Sequence, residues 1–415
     1  MTTNSDRHAF RPVPKTGVIY VMTEASKRGY LKNRSAWANF GQGAPEIDDI
    51  PNCPQRLTNI PIDVDSYEYA PVGGTMELRE AVAKLYNERY RQGKKSQYTA
   101  ENVAIGSGGR LALTRLVSTL GPSHIGHFLP DYTAYEELLG SFGTFIPIPI
   151  SLAPNEHYEF SIEDLRKEIL GKGLSTILLS NPSNPTGKVI SGDRLKAWVD
   201  LSRELECAML FDEFYSHYIY DPAITSVSAA EHIKDVNKDP IIVFDGLTKN
   251  WRYPGFRISW TLGPKNVIEG ITSAGSFLDG GASHPIQNAA VNIVTREHAD
   301  QEASAIKAHF KTKAEFLQTE LEKLGIKTES PQGSFYCWGD LSNLPKNLRS
   351  GSELFAKAIE NNLILVPGIY FDINPGKRRP KNLSIFENYA RFSFGPSLPE
   401  LELGISILKK IIQGT

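Results

Sequence analysis

The stretch "PIIVFDGLTKNWRYPGFRISWTLG", residues 240–263, holds two apolar runs of strand length, separated by a loop that contains proline and glycine. Ile241, Ile242, Val243 and Phe244 follow one another without alternation, the pattern of a strand buried on both faces, as in a parallel sheet. Just beyond that run stands Lys249, with Arg257 eight positions further on. Runs of the same kind lie upstream in "NVAIGSGG" (102–109), "HIGHFLP" (124–130), "TFIPIPI" (144–150), "STILLSNP" (175–182) and "CAMLFDEFY" (207–215). Segments of helical period separate several of them. "TMELREAVAKLYNERY" (75–90) has Thr75 as N-cap and Met76, Leu78, Val82 and Leu85 on one face, and "RLALTRLVSTLG" (110–121) stops at Gly121-Pro122. In "SIEDLRKEIL" (161–170), Ser161 and Asp164 fit a capping box. Buried strands alternating with helices predict an α/β fold around a mostly parallel central sheet.

After about residue 264 the texture changes to long helical stretches, such as "QNAAVNIVTREHADQEASAIKAHFKTKAEFLQTELEKLG" (287–325), followed by short strands around "SFYCWGD" (334–340) and "ARFSFG" (390–395). These predict a smaller α+β domain. The first 60 residues, punctuated by Pro and Gly, are expected to be an irregular arm draped over the body or over a partner.

Bulk properties narrow the function. A chain of 415 residues exceeds the size at which a single core keeps growing. A net charge of -2 argues against a nucleic-acid footprint. No segment approaches the roughly 18 uninterrupted apolar residues of a membrane span, and "MTTNSDRHAFRPVPKTG" has no apolar leader core, so a cytoplasmic protein is expected. The three cysteines, Cys53, Cys207 and Cys337, are far apart and lack metal-ligand spacing, which fits reduced thiols and no metal site.

In open α/β sheets ligands gather at the carboxyl ends of the strands. The turn Ser107-Gly108-Gly109-Arg110 lies between a strand and a helix and offers backbone N–H groups to an anion, although such turns also serve tight packing. "NPSNPTG" (181–187) has two Asn-Pro steps that force a defined loop and can aim Asn184 at a ligand. Asp212 closes another strand, with Tyr215 three residues on, and a carboxylate there calls for a cation, in a ligand or in a nearby ion pair. A lone lysine in a loop is usually a solvated one. Taken as a set, an anion-cradling turn, an amide, a buried acid, a tyrosine and a lysine describe a pyridoxal phosphate site.

The motifs occur in an order that resembles the class I/II aminotransferases among the fold-type-I pyridoxal phosphate enzymes, over about residues 17–410. "SNPSNPTGKVI" resembles that family's Asn-Pro-x-Asn-Pro-Thr-Gly segment, "FDEFY" its Asp-x-x-Tyr, and "TKNWRYPGFR" its Ser/Thr-Lys-x-x-x-x-Pro-Gly-x-Arg. The resemblance implies a seven-stranded sheet flanked by helices, in a large cofactor-binding domain spanning residues 61–290. It further implies a small domain over 291–415 and an arm over 1–60 that contributes to the small domain. It makes Lys249 the Schiff-base lysine, Asp212 the partner of the ring nitrogen, Asn184 and Tyr215 ligands of the ring oxygen, and Arg257 a phosphate ligand. Tyr132 in "PDYTAY" falls where the family stacks an aromatic on the ring, and Tyr69 in "YEYAPVGG" where a tyrosine reaches the phosphate of the neighbouring subunit, so a homodimer with shared sites is expected. Gly43 in "GQGAPE" and Arg391 in "ARFSFG" fall where the substrate carboxylate is held, together with Asn184.

Two departures stand out. Gly246 occupies the position, three before the lysine, at which the family usually has a serine; one phosphate hydrogen bond is then missing or supplied by another group such as Thr248. In "GSGGR" the small side chains leave open which of residues 107–110 meet the phosphate. The expected reaction moves an amino group between an amino acid and a 2-oxo acid. The same constellation also serves β- or γ-elimination and cyclisation, and a cofactor-binding sensor is a third reading. Tyr20, Trp37 and Phe40 read as packing residues rather than as a side-chain pocket.

Overall fold

The computed structural model describes residues 13–380 and 383–414; the first twelve residues of the expected arm lie outside them. The first strands in chain order are β1 (Ala38–Asn39), β2 (Val103–Gly106), β3 (His124–Leu129), β4 (Ile146–Ser151), β5 (Leu174–Ser180), β6 (Ala208–Asp212), β7 (Ile241–Gly246) and β8 (Ser259–Leu262). They are followed by β9 (Lys327–Thr328), β10 (Tyr336–Asp340), β11 (Leu363–Ile364), β12 (Val366–Pro367) and β13 (Tyr389–Ser393).

β2 to β8 form one seven-stranded sheet in the order β2-β8-β7-β6-β5-β3-β4. All its neighbouring pairs are parallel except the two made by β8, which runs antiparallel to both β2 and β7. β7 is buried along its whole length, as its unbroken apolar run requires. β4 lies at the edge and, among the described residues, pairs only with β3. Its Pro147 and Pro149 lack the N–H that a central strand must donate, so an edge is where they fit. The mostly parallel α/β architecture predicted from the apolar runs is the one observed. A four-stranded antiparallel sheet, β12-β13-β10-β9, carries Arg391 on β13 opposite Trp338 on β10.

Local signals account for most helix boundaries. The Thr75 hydroxyl accepts the Leu78 N–H and caps the helix Met76–Tyr90. Leu78, Val82 and Leu85 are buried, whereas Met76, expected on the same face, is half-exposed. At 100° per residue Met76 sits about 200° round the axis from Leu78, on the solvent side. Ser161 caps Ile162–Lys172 by accepting the Asp164 N–H, and its own hydroxyl donates to the Asp164 carboxylate.

Two further expectations are corrected. The long helical stretch of 287–325 is two helices, His284–Val291 and Arg296–Lys323, broken where the Thr295 hydroxyl accepts the His298 N–H and starts a new helix. The amino-terminal region is not wholly irregular, because Gly17–Lys27 is a helix with Val21 and Ala25 buried. Its Thr16 makes no side-chain capping bond, which removes the usual start signal. From there the chain enters β1, which pairs in parallel with β11, beside the C-terminal helix Leu398–Gln413. Gly404 of that helix packs on the Phe40 ring so closely that a Cβ there would lie 2.2 Å from it.

Candidate active site

Five loops at the carboxyl ends of β2, β3, β5, β6 and β7 converge with segments near residues 18, 43, 336 and 391 on one cleft of about 360 Å³. Of the residues singled out in the sequence, Gly43, Gly109, Arg110, Tyr132, Asn184, Asp212, Tyr215, Thr248, Lys249, Arg257 and Arg391 line it. Ser107, Gly108 and Tyr69 do not. Ser107 Oγ donates to the Gly281 carbonyl, Gly108 sits against Arg257, and Tyr69 is 94% exposed. Tyr20, Trp37 and Phe40 pack elsewhere: Tyr20 against Phe355 and Tyr370, and Trp37 against Tyr30.

Lys249 is half-buried, and the face it leaves open is turned into the cleft. Its ammonium donates to the Gly43 carbonyl. Burial, reinforced by the Arg391, Arg110 and Arg257 cations and opposed by Asp212, brings its pKa down to about 7. Asp212 ends β6 fully inside the protein, where burial raises its carboxyl to about 6 against the stabilising bonds from Tyr135 and the Phe214 N–H. The Tyr135 hydroxyl donates to Asp212 Oδ2 at 2.7 Å.

Two of the arginines meet no carboxylate among the described residues. Arg110 Nε donates to the Tyr132 hydroxyl at 3.3 Å and Arg257 Nη1 to the Pro254 carbonyl at 3.0 Å. Burial and the adjacent Arg110 charge lower the pKa of Arg257. Arg257 also has φ +56, a left-handed conformation that costs a side-chain-bearing residue about 1–2 kcal/mol. It approaches the Gly108 backbone so closely that a Cβ on Gly108 would lie 1.8 Å from its guanidinium. Beside them the Thr248 hydroxyl is buried without a hydrogen-bond partner among the described residues. The helix Gly109–Ser118 opens onto the same place, with no side-chain cap at Gly108. Two unpaired cations, an orphaned hydroxyl and an uncapped helix start fit a multiply charged anion such as a phosphate ester.

Arg391 lies opposite, fully buried. Its Nη1 donates to Asn184 Oδ1 and its Nη2 to the Gly41 carbonyl, both at 3.0 Å, while its Nε is buried without a partner among the described residues. Asn184 is fixed by the loop after β5, where its N–H donates to Ser180 Oγ and that hydroxyl donates to Asp131.

Several lining groups were not read from the sequence. Behind the lining, Tyr135 is fully buried and bonds Asp212, but nothing in the sequence says that its ring turns inward. Val18, Leu113 and Tyr336 also line the cleft. Leu113 shares a helix face with Arg110, a spacing that could have flagged it. Gly246 is explained by packing: a Cβ there would lie 2.6 Å from both the Ile258 oxygen and the Ser259 Cα across the β7–β8 pair. The three cysteines are unpaired, and burial pushes the Cys207 thiol up to about 12.

The sequence profile of the family "Aminotransferase class I and II" matches residues 36–403. The chain belongs to this family. It is 23% identical over 380 residues to a probable aspartate/prephenate aminotransferase of Aquifex aeolicus, covering 90% of each chain. It is also 28% identical over 309 residues to the one from Thermus aquaticus, covering 73% of this chain and 76% of that one. An aminotransferase structure from Mycobacterium tuberculosis superposes with a TM-score of 0.80 at 20% identity, covering 99% of this chain and all of the other, which shows a shared fold. The protein is therefore an aminotransferase, an enzyme that moves an amino group between an amino acid and a 2-oxo acid. Aminotransferases of this family generally depend on pyridoxal phosphate.

Proposed function

We propose that this aminotransferase binds pyridoxal 5'-phosphate in the cleft and works through Lys249. The observation that carries the reading is the meeting of Lys249, the deeply buried Asp212 and three arginines, Arg110, Arg257 and Arg391, in one cleft. Arg257, Arg110, Thr248 and the Gly109 backbone would hold the phosphate, with Ser107 and Gly108 shaping the turn behind them. Asp212 would hold the ring nitrogen, Asn184 and Tyr215 the ring oxygen, and Tyr132 the ring face. When bound, the group supplies a carbonyl carbon for the lysine amine and an electron-accepting ring for the substrate's α-carbon.

The chain's own residues do the rest. Arg391 binds the α-carboxylate of the amino acid as a planar donor, with Gly43 and Asn184 beside it. Its buried Nε is a donor that no group among the described residues uses. Lys249 Nζ, a free base above about pH 7, takes the proton from the α-carbon in one half-reaction and returns it in the other. Asp212 remains a buried acceptor whose charge the Tyr135 hydroxyl stabilises, so that it can sustain a positive ring nitrogen.

We further propose a cytoplasmic homodimer in which Tyr69 reaches the partner's phosphate site. Two observations support the dimer: Tyr69 makes no use of its own cleft, and Ile62, Val64, Tyr67 and Phe277 are exposed apolar residues of the kind that subunits cover. The division into an arm (1–60), a large domain (61–290) and a small domain (291–415) is likewise our reading, supported by a seven-stranded sheet confined to residues 103–262 and by the pairing of β1 with β11.

Reconstitution of the purified protein with pyridoxal phosphate tests the reading. A visible absorption band absent from Lys249→Ala, and lost on addition of an amino acid with release of its 2-oxo acid, is expected. A wild-type protein that stays colourless overturns it.

A further inference from the structure

We infer that Tyr336 is a positioning residue that ties the carboxylate clamp to the cofactor ring: its hydroxyl orients the proton of Tyr215 and its ring holds the Arg391 guanidinium. The inference rests on the pyridoxal phosphate reading above.

Three observations carry it. First, the Tyr336 and Tyr215 hydroxyls lie 2.8 Å apart, both rings are buried, and among the described residues neither hydroxyl has another hydrogen-bond partner. Each phenol has one proton, and one proton occupies the contact between them. For Tyr215 to donate to a ring oxygen, the proton in that contact must come from Tyr336. A donor behind Tyr215 then polarises it and strengthens its own donation. Second, the Arg391 guanidinium carbon lies 4.0 Å from the Tyr336 ring centroid and 5.1 Å from that of Phe371. A desolvated guanidinium stacked in this way is held by cation–π attraction as well as by its bonds to Asn184 and Gly41. Third, Tyr336 has little freedom to move. It begins β10 two residues after Ser334, whose φ of +59 turns the chain into the cleft and whose N–H and carbonyl are bonded to the Tyr218 carbonyl and the Tyr220 hydroxyl. Phe335 packs on Tyr215 and Tyr218 from the side.

The two functions sit on different atoms of one side chain, so substitutions separate them. Tyr336→Phe keeps the ring and deletes the hydroxyl; Tyr336→Leu deletes both. A hydrogen bond to the ring oxygen favours the deprotonated chromophore, so weakening Tyr215 raises the pH midpoint of the visible band. In the reconstituted protein, Tyr336→Phe is expected to raise that midpoint by about 0.5–1 unit, the size of one ordinary hydrogen bond, while leaving KM for the amino acid within about twofold. Tyr336→Leu is expected to show the same shift and a KM raised about tenfold or more. In a Tyr215→Phe background, Tyr336→Phe should no longer move the midpoint, whereas a general loosening of the site would still move it. A Tyr336→Phe protein that titrates like wild type, or a midpoint that still moves in the Tyr215→Phe background, overturns the hydroxyl's role. A Tyr336→Leu protein with unchanged KM overturns the ring's. A wild-type protein that takes up no pyridoxal phosphate removes the cofactor reading and this inference with it.

Discussion

At the scale of single residues, the titration of Lys249 sets two measurable behaviours. Its folded-state pKa of about 7 lies below the ordinary 10.5, so between those values the unfolded chain binds a proton that the folded chain does not. Its contribution to folding therefore rises with pH across that window. Cofactor-free Lys249→Met should be more stable than wild type at pH 7, and the gap should narrow toward pH 10 by at most about 1.4 kcal/mol per unit, as measured by denaturant midpoints. For the same reason, the rate at which the cofactor-free protein captures pyridoxal phosphate should fall as pH drops below about 7 and the amine becomes protonated. Arg391 gives a second test. A lysine there keeps the charge but loses the planar fork, the Asn184 and Gly41 bonds and the ring stacking, so KM for the amino acid should rise about 10- to 100-fold with kcat less affected. Lys249, Asp212 and Arg391 were legible because each occupies a fixed place in a motif. Tyr135 and Tyr336 were not, because a buried tyrosine hydroxyl acquires its role only from the group that folding brings to it.

At the scale of elements, the loop after β7 shows what a motif does and does not specify. Its lysine and proline-glycine turn are in the sequence, but its shape is held by groups far away. Arg56 donates to the carbonyls of Trp251 and Arg252, and Arg252 forms a fully buried ion pair with Glu302 while bonding the Asp48 carbonyl. Gly246 closes the same strand where β8 leaves no room for a side chain. Restoring the serine usual in the family, Gly246→Ser, should therefore destabilise the protein by about 1–3 kcal/mol through overpacking and should weaken, not improve, cofactor retention. Denaturant unfolding and cofactor dissociation check both parts. Helix Gly17–Lys27 was missed because it lacks a capping side chain and its buried stripe is short, whereas the strands were found because an unbroken apolar run has few other uses.

At the scale of the whole molecule, the shared-site dimer makes a distinctive prediction. If Tyr69 of one subunit serves the partner's cleft, Tyr69→Ala and Lys249→Ala homodimers should each be impaired, and their mixture after subunit exchange should regain activity through hybrids carrying one intact site. Sedimentation showing a fully active monomer would defeat this. Motif order and strand pattern in the sequence determined the α/β class, the parallel sheet and the family, and singled out Lys249, Asp212 and Arg391 as the candidates for the roles proposed above. These follow from chemistry and local periodicity, which the linear order of residues carries directly. Only the tertiary structure decided that, among the described residues, Arg110 and Arg257 stand together without a counter-charge and Thr248 is left without a partner, that Gly246 has no space for a serine, and that Tyr336 bridges Tyr215 to Arg391. Each of those depends on side chains from distant parts of the chain meeting at the strand ends, where burial turns a separation of a few ångströms into a shifted proton or an unfilled hydrogen bond.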